Sequence, residues 1–176
     1  NVPANKILKW DGKSLTVFRE NSKAANGLYF ESDGSLLTCE GGAKRVTRTN
    51  MKTGETKVLA DSYNGFPLAS PNDLCCDAAG RIYFTSRPGV EDPTKGNANA
   101  VYRIDPVGKL TQLLKSPDIH MPNGIVISPD NQTLYLIEAH PDADRNRNIL
   151  AFDLGSDGSL SNRRTLINFY PGRSGD

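Results

Sequence analysis

A repeat of about 50 residues is the feature that most constrains the fold of this 176-residue chain. Each copy opens with Asn, a small or acidic residue and an apolar run, and continues through a turn rich in Asp, Asn and Gly into a second apolar run. The copies begin at Asn26, Asn72 and Asn123, so their spacings are 46 and 51 residues. A period of this length predicts stacked copies of one supersecondary unit that bury their apolar faces on each other.

Each repeat is predicted to hold four short strands. After the first apolar pair, a second pair follows in every copy, at 45–49 with 56–59, 101–104 with 110–114, and 149–152 with 164–167. Gly34, Gly54, Gly80 and Gly158 lie in the intervening turns, where a positive φ is often required. Four antiparallel strands per repeat indicate an all-β fold built from the blades of a β-propeller. A β-sandwich is the alternative, although it needs no four-strand period.

The repeats predict a single partial β-propeller domain over residues 1–176. Residues 1–20 are expected to end one blade, whole blades to occupy about 26–66, 70–116 and 121–170, and residues 171–176 to start the next. This adds up to about three and a half blades, whereas a closed propeller needs at least four. We therefore expect the chain to be part of a longer protein, or one of two copies that complete a ring.

Composition narrows the classes of partner. The 21 basic and 20 acidic residues nearly cancel, which argues against nucleic acid or a membrane surface. Apolar runs are far shorter than the roughly 20 residues of a membrane span. Cys39, Cys75 and Cys76 form no zinc or disulfide pattern and are expected to be small buried hydrophobic residues. The sequence does not choose among a cytoplasmic, periplasmic or secreted location, nor does it give the oligomeric state.

Polar residues recur where each repeat begins. The first strand of a propeller blade lines the central channel, so Asn26, Asn72 and Asn123 are expected to converge at one channel mouth. Amide oxygens suit Ca²⁺, which binds six to eight oxygen ligands, while an Asn before Gly or Asp also simply forms turns. Asn72 and Asn123 both follow a proline and are the stronger candidate metal ligands.

Two further residues are candidates for the same mouth. Asp176 lies 53 residues after Asn123, where the next inner strand would begin, and its carboxylate would bind a metal or act as a base. The alternative is that Asp176 is a solvated terminal residue with no functional role. His120 precedes Asn123 by three residues and is a candidate substrate contact. The sequence has no phosphate-binding glycine loop and no nucleophile elbow.

Taken together, these motifs resemble the bacterial gluconolactonases. The wider family of the gluconolactonases includes regucalcin-like (senescence marker protein) lactonases and calcium-dependent phosphotriesterases. The resemblance covers essentially the whole chain. It rests on residues 26–28 with 36–42 and 45–49, on 70–74 with 80–85, on 121–125 with 128–130, and on the opening segment 5–10. It implies a six-bladed propeller with one catalytic divalent metal in the central channel.

The resemblance also implies roles for individual residues. Asn123 corresponds to the family's Asn ligand, Asp176 to its Asp ligand, and Asn72 to a second Asn at the metal or substrate. The family's Glu ligand has no counterpart in these 176 residues. Calcium is the expected cofactor, with zinc or magnesium possible. Apart from the resemblance, Asp73 is expected to hold Asn72 or its turn. The predicted substrate-binding residues are Asn72, Asp73 and His120.

The implied reaction is the opening of a sugar lactone to its hydroxy acid. The metal would polarise the carbonyl and Asp176 would activate a water molecule. Two alternatives stay open: a phosphotriesterase-type hydrolase that uses the same metal, and a non-catalytic propeller that binds partners.

Overall fold

The protein is described by a computed structural model that covers residues 2–90, 92, 94–141 and 147–169. Almost all regular structure in these residues is β-strand. The strands are β1 (Ile7–Trp10), β2 (Leu15–Arg19), β3 (Ala25–Phe30), β4 (Leu36–Glu40), β5 (Arg45–Thr49), β6 (Thr56–Ala60), β7 (Ser62–Tyr63), β8 (Phe66–Pro67), β9 (Pro71–Cys76), β10 (Ile82–Ser86), β11 (Ala100–Ile104), β12 (Leu110–Lys115), β13 (Pro122–Ile127), β14 (Thr133–Ala139), β15 (Arg147–Leu154) and β16 (Leu160–Asn168). A 3₁₀ turn, Gly41–Ala43, follows β4.

Three four-stranded antiparallel sheets organise the described residues. Their strand orders are β3-β4-β5-β6, β9-β10-β11-β12 and β13-β14-β15-β16, here called blade 1, blade 2 and blade 3. Strands β1 and β2 form a two-stranded sheet before blade 1, and β7 and β8 form a small hairpin between blades 1 and 2. The inner strands β3, β9 and β13 lie next to one another. This arrangement is that of consecutive blades of a β-propeller, as the repeat predicts.

The turns within the blades follow the predicted chemistry. Gly34, Gly54, Gly80 and Gly158 have φ values of +83°, +76°, +76° and +79°. Residues with side chains are strained in this left-handed region, so glycine allows tight turns between paired strands. Local sequence therefore sets where each hairpin reverses.

Blade faces pack on one another through two hydrophobic cores. Between blades 1 and 2 lie Leu37, Cys39, Val46, Leu74, Phe84 and Tyr102, and between blades 2 and 3 lie Cys75, Tyr83, Val101, Ile125, Leu136 and Leu150. All five residues of β10 are buried, because blade 2 is covered on both faces. Removal of apolar surface from water contributes about 25 cal/mol per Å², so face-to-face stacking is the main source of stability.

A charged cluster fastens blade 2 to blade 3 at the end of the blades where the inner strands finish. The buried carboxylate of Asp77 accepts hydrogen bonds from Arg81 Nε at 2.6 Å and from the Tyr83 hydroxyl at 3.0 Å. Arg81 and Arg103 also donate to backbone carbonyls at the β15–β16 turn, at 2.8 and 3.0 Å. The two guanidinium groups thus satisfy acceptors on both blades.

No helix in the described parts of the chain has the length and apolar character needed to cross a membrane.

Candidate functional site

Every inner strand carries a β-bulge near its start. In blade 1, Ala25 pairs with Glu40 and Leu28 with Thr38, so two inner residues oppose one residue of β4. The same shift occurs between Pro71 and Leu74 in blade 2, and between Pro122 and Ile125 in blade 3. The residues inside the three bulges are Asn26-Gly27, Asn72-Asp73 and Asn123-Gly124. A bulge releases residues from the ladder and redirects their side chains, so all three candidate Asn residues share one local geometry.

Asp73 links the bulges of neighbouring blades. Its Oδ2 accepts a hydrogen bond from the backbone N–H of Ile125 at 3.1 Å, which joins β9 to β13. On its other side, strand β3 approaches closely at Gly27. A Cβ on Gly27 would lie 2.7 Å from the Asp73 Cα and 2.9 Å from the Asn72 carbonyl oxygen. Only glycine permits this approach, so the Asn-Gly of blade 1 has a packing reason beyond turn formation.

The Thr85 hydroxyl makes a second link between blades 2 and 3. Thr85 is fully buried opposite the blade 2 bulge. Its Oγ1 donates to the carbonyl oxygen of Asn123 at 2.7 Å and accepts from the backbone N–H of Asp73 at 3.1 Å. Sequence reasoning missed Thr85, and the available signal was a small hydroxyl residue directly after the run Ile82-Tyr83-Phe84.

Asn72 has an acceptor that the described residues do not satisfy. Asn72 is the second residue of β9 and is half-buried, but its Oδ1 atom is inaccessible and has no hydrogen-bond partner among the residues described. An unpaired buried acceptor is costly, and such groups in native structures often mark a bound ion or water. The oxygen of a neutral amide fits a hard cation such as Ca²⁺.

The other predicted residues take different positions. Asn123 is half-buried at the same point of β13, whereas Asn26 is exposed on β3. His120 is half-buried two residues before β13. Asp176 lies outside the described residues, as does the predicted start of a further blade at 171–176. In the part of the chain that the structure describes, no three His, Cys, Asp or Glu side chains are grouped to hold a metal, so the candidate ligands there are amides.

A buried carboxylate lies behind His120. Glu138 on β14 is fully buried, and its Oε2 accepts hydrogen bonds from the backbone N–H groups of His120 at 2.6 Å and Met121 at 3.3 Å. Burial raises the pKa of Glu138, and the two N–H donors partly oppose that shift because they stabilise the ionised form. The carbonyl of His120 is held in turn by Asn99 Nδ2 at 2.5 Å. Glu138 was also missed by sequence reasoning.

The cysteines behave largely as predicted. Cys39 and Cys75 are buried, but Cys76 is only half-buried and lines an open cleft, with Tyr29 and Ser128, at the opposite end of the inner strands. The prediction that all three are buried is therefore wrong for Cys76, because its face of β9 looks onto the cleft. Burial raises the pKa of the Cys76 thiol to about 12 and that of the other two thiols as well.

These thiols are expected to resist alkylation. At pH 8 the thiolate is the minor form for any thiol whose pKa is raised, and the thiolate is the nucleophile. Iodoacetamide should label native Cys76 at least roughly 100-fold more slowly than the same residue in guanidinium-unfolded chain. Mass spectrometry of timed samples checks this, and rapid labelling of native Cys76 would contradict it.

The chain is similar in sequence to a known protein family and to known lactone-hydrolysing enzymes by name. A family model described as SMP-30/Gluconolactonase/LRE-like region matches residues 1–176. A gluconolactonase of Zymomonas mobilis is 32% identical over 188 aligned residues, which cover 95% of this chain and 51% of that protein. A lactonohydrolase of Aspergillus oryzae is 28% identical over 142 residues, covering 68% of this chain and 31% of that protein.

Solved structures agree with the sequence matches. The structure of a gluconolactonase from Xanthomonas campestris is 30% identical and superposes with a TM-score of 0.77, covering 93% of this chain and 56% of that one. The chain thus spans about half the length of these gluconolactonases. On the strength of the full-length match to the family model and of the shared blades, the chain belongs to the SMP-30/gluconolactonase/LRE-like family.

Proposed function

We propose that this chain acts as a calcium-dependent lactone hydrolase that opens a sugar lactone, such as gluconolactone, to its hydroxy acid. Similarity to proteins named gluconolactonase and lactonohydrolase supports the reaction class. The observation that carries the proposal is the buried Oδ1 of Asn72, which has no hydrogen-bond partner among the described residues and lies one inner strand from the corresponding Asn123.

Three oxygen donors would hold the cation. They are the amide oxygens of Asn72 and Asn123 and the carboxylate of Asp176, the last placed from the sequence alone. Two neutral amides and one carboxylate match the oxygen chemistry that Ca²⁺ prefers; zinc or magnesium is the alternative metal. When bound, the cation supplies Lewis-acid polarisation of the lactone carbonyl and stabilises the negative charge that develops on its oxygen.

The chain's own residues would set the geometry before substrate arrives. The bond from Ile125 N–H to Asp73 Oδ2, together with the Thr85 bond to the Asn123 carbonyl, fixes β13 against β9. The two Asn side chains are therefore held on rigid strands rather than on loops, which favours precise placement of ligands. His120, half-buried two residues before β13, would contact the substrate.

Asp176 would serve as the base. Its carboxylate oxygen would accept a proton from water as the hydroxide adds to the lactone carbonyl carbon. Collapse of the adduct breaks the ring C–O bond, and the proton passes to the departing ring oxygen. The net change is one lactone and one water to one hydroxy acid, with the carboxylate regenerated.

Removal of calcium is expected to abolish hydrolysis. The chain, freed of metal with EDTA and dialysed, should open gluconolactone no faster than the spontaneous background in a pH-stat, and added CaCl₂ should restore the rate. Calorimetry on the same sample should show one saturable calcium site. Absence of both calcium binding and lactone turnover would refute the proposal. Calcium binding with turnover of an aryl phosphotriester alone would favour the phosphotriesterase alternative.

A further inference from the structure

Glu138 is a fully buried carboxylate that the proposed reaction does not use. It lies two residues beyond Leu136 on β14 and therefore on the same face of blade 3, the face that packs against blade 2. Charged side chains are almost never fully buried unless they are paired. The position of Glu138 in an interblade core therefore requires a specific reason.

The contacts of Glu138 point to the segment that leads into Asn123. The Glu138 Oε2 atom accepts from the backbone N–H groups of His120 and Met121, at 2.6 and 3.3 Å. Pro122, the next residue, is its direct cross-strand partner. The regular ladder is interrupted immediately afterwards by the bulge that contains Asn123. One carboxylate oxygen of Glu138 thus holds the backbone of residues 120–121, which leads directly into the candidate ligand Asn123.

The equivalent positions of the other blades provide a comparison. In blade 1, Glu40 is paired across the strand with Ala25 and forms ion pairs with Arg19 at 3.3 Å and Arg45 at 2.7 Å. In blade 2 the position is Ser86, opposite Pro71. No ion pair of Glu138 is found among the described residues. Ion pairs with two arginines account for the buried Glu40, whereas the hydrogen bonds of Glu138 to described residues come from backbone amides next to the candidate site.

The remaining oxygen of Glu138 carries a second observation. Its Oε1 is buried and has no hydrogen-bond partner in the described part of the chain, and the same holds for Oδ1 of Asn148. Asn148 lies directly opposite Glu138 on β15, so both side chains project from the same face of the sheet. A carboxylate kept in such surroundings is unfavourable for folding, which argues that its contacts with residues 120 and 121 serve more than stability.

We propose that Glu138 is a positioning residue for the cation site, holding the backbone of His120 and Met121 so that Asn123 presents its amide oxygen at the channel mouth. The inference rests on the proposed function. It concerns hydrogen-bond geometry rather than charge, so an uncharged acceptor of the same shape should serve equally well.

Two substitutions of Glu138 in the full chain distinguish the effect of its hydrogen bonds on calcium binding from the effect of its packing. Glu138→Gln keeps an oxygen for the two N–H groups, and its amide can donate to Asn148 Oδ1. Glu138→Leu fills a similar volume without an acceptor. Calorimetry with CaCl₂ should show affinity within about threefold of the parent for Glu138→Gln and about 10- to 100-fold weaker for Glu138→Leu, the range typical of residues that support metal ligands. Gluconolactone turnover should fall in parallel with calcium occupancy.

Glu31→Leu is the matched control. Glu31 is mostly buried and pairs with Arg48 at the opposite end of the inner strand, so its loss should lower stability but leave calcium affinity unchanged. If Glu138→Leu does not fold, Glu138→Asp replaces it, since the shorter side chain withdraws the oxygen from both amides. Its calcium affinity should also fall about tenfold or more.

The outcomes distinguish this inference from the proposed function. A parent chain that binds calcium, with Glu138→Leu binding equally well, would overturn the positioning role alone. Equal losses in Glu138→Gln and Glu138→Leu would also overturn it, because charge rather than geometry would then matter. A parent that neither binds calcium nor opens lactones would overturn the proposed function and this inference with it.

Discussion

Replacement of Asn72 by leucine is expected to abolish calcium binding while leaving the calcium-free fold at least as stable as the parent. The reason is the state of the Asn72 side-chain oxygen, which is buried without a partner in the described structure. Leaving an acceptor in that state costs about 1–3 kcal/mol, so an apolar side chain of similar size removes a penalty. The same substitution removes a candidate ligand, so stability and binding should change in opposite directions.

Urea unfolding with and without calcium measures both effects. At a calcium concentration 100 times Kd, the parent should gain about 2.7 kcal/mol in its free energy of unfolding, and Asn72→Leu should gain essentially nothing. Thr38→Val is the matched control, because Thr38 Oγ1 is also buried without a partner among the described residues. Thr38 lies on the face of β4 opposite to Leu37 and Cys39, which pack in the core shared with blade 2. It should leave the calcium effect intact. An Asn72→Leu chain stabilised by calcium as strongly as the parent would rule out Asn72 as a ligand.

Gly27→Ala is expected to be strongly destabilising. The added Cβ would lie 2.7 Å from the Asp73 Cα and 2.9 Å from the Asn72 carbonyl oxygen, and both are backbone atoms that cannot rotate away. Overpacking of this kind typically costs about 1–3 kcal/mol. Because the strand that must move carries Asn72, we also expect calcium affinity to fall.

Gly124→Ala tests the same change in blade 3. Gly124 occupies the equivalent place after Asn123, but its nearest neighbour is the Cδ1 methyl of Ile137 at 3.0 Å, the mobile end of a side chain. The loss of unfolded-chain entropy that accompanies Gly→Ala is common to both variants. Gly124→Ala should therefore cost less than about 1 kcal/mol in urea unfolding. Equal losses for the two variants would contradict the close approach of β3 and β9.

The blades could be predicted because short stretches of sequence determine where each strand and each turn lies. Alternating apolar residues define each strand, and glycines with positive φ define the reversals at Gly34, Gly54, Gly80 and Gly158. The repeat then places Asn72 and Asn123 at the start of inner strands. None of these inferences depends on how neighbouring strands are aligned.

The bulges and their partners could not be predicted, because they depend on pairing register between strands. Thr85 follows one apolar run and Glu138 interrupts another, but their partners become evident only when the opposite strand is in place. Asn97 is a similar case. Its Nδ2 donates to the carbonyls of Tyr63, Phe66 and Pro67, about 30 residues away, and so anchors the segment between β10 and β11 to the β7–β8 hairpin.

The repeated bulge has a consequence for how such a chain could change over evolutionary time. In each blade the two residues inside the bulge lie outside the regular pairing register, while residues on either side, such as Pro71 and Leu74, maintain the sheet. Substitutions at Asn72 or Asn123 should therefore be tolerated by the architecture even when they remove a candidate ligand. Because the sheets stay intact while these few positions vary, the bulges are sites at which new ligand preferences could arise.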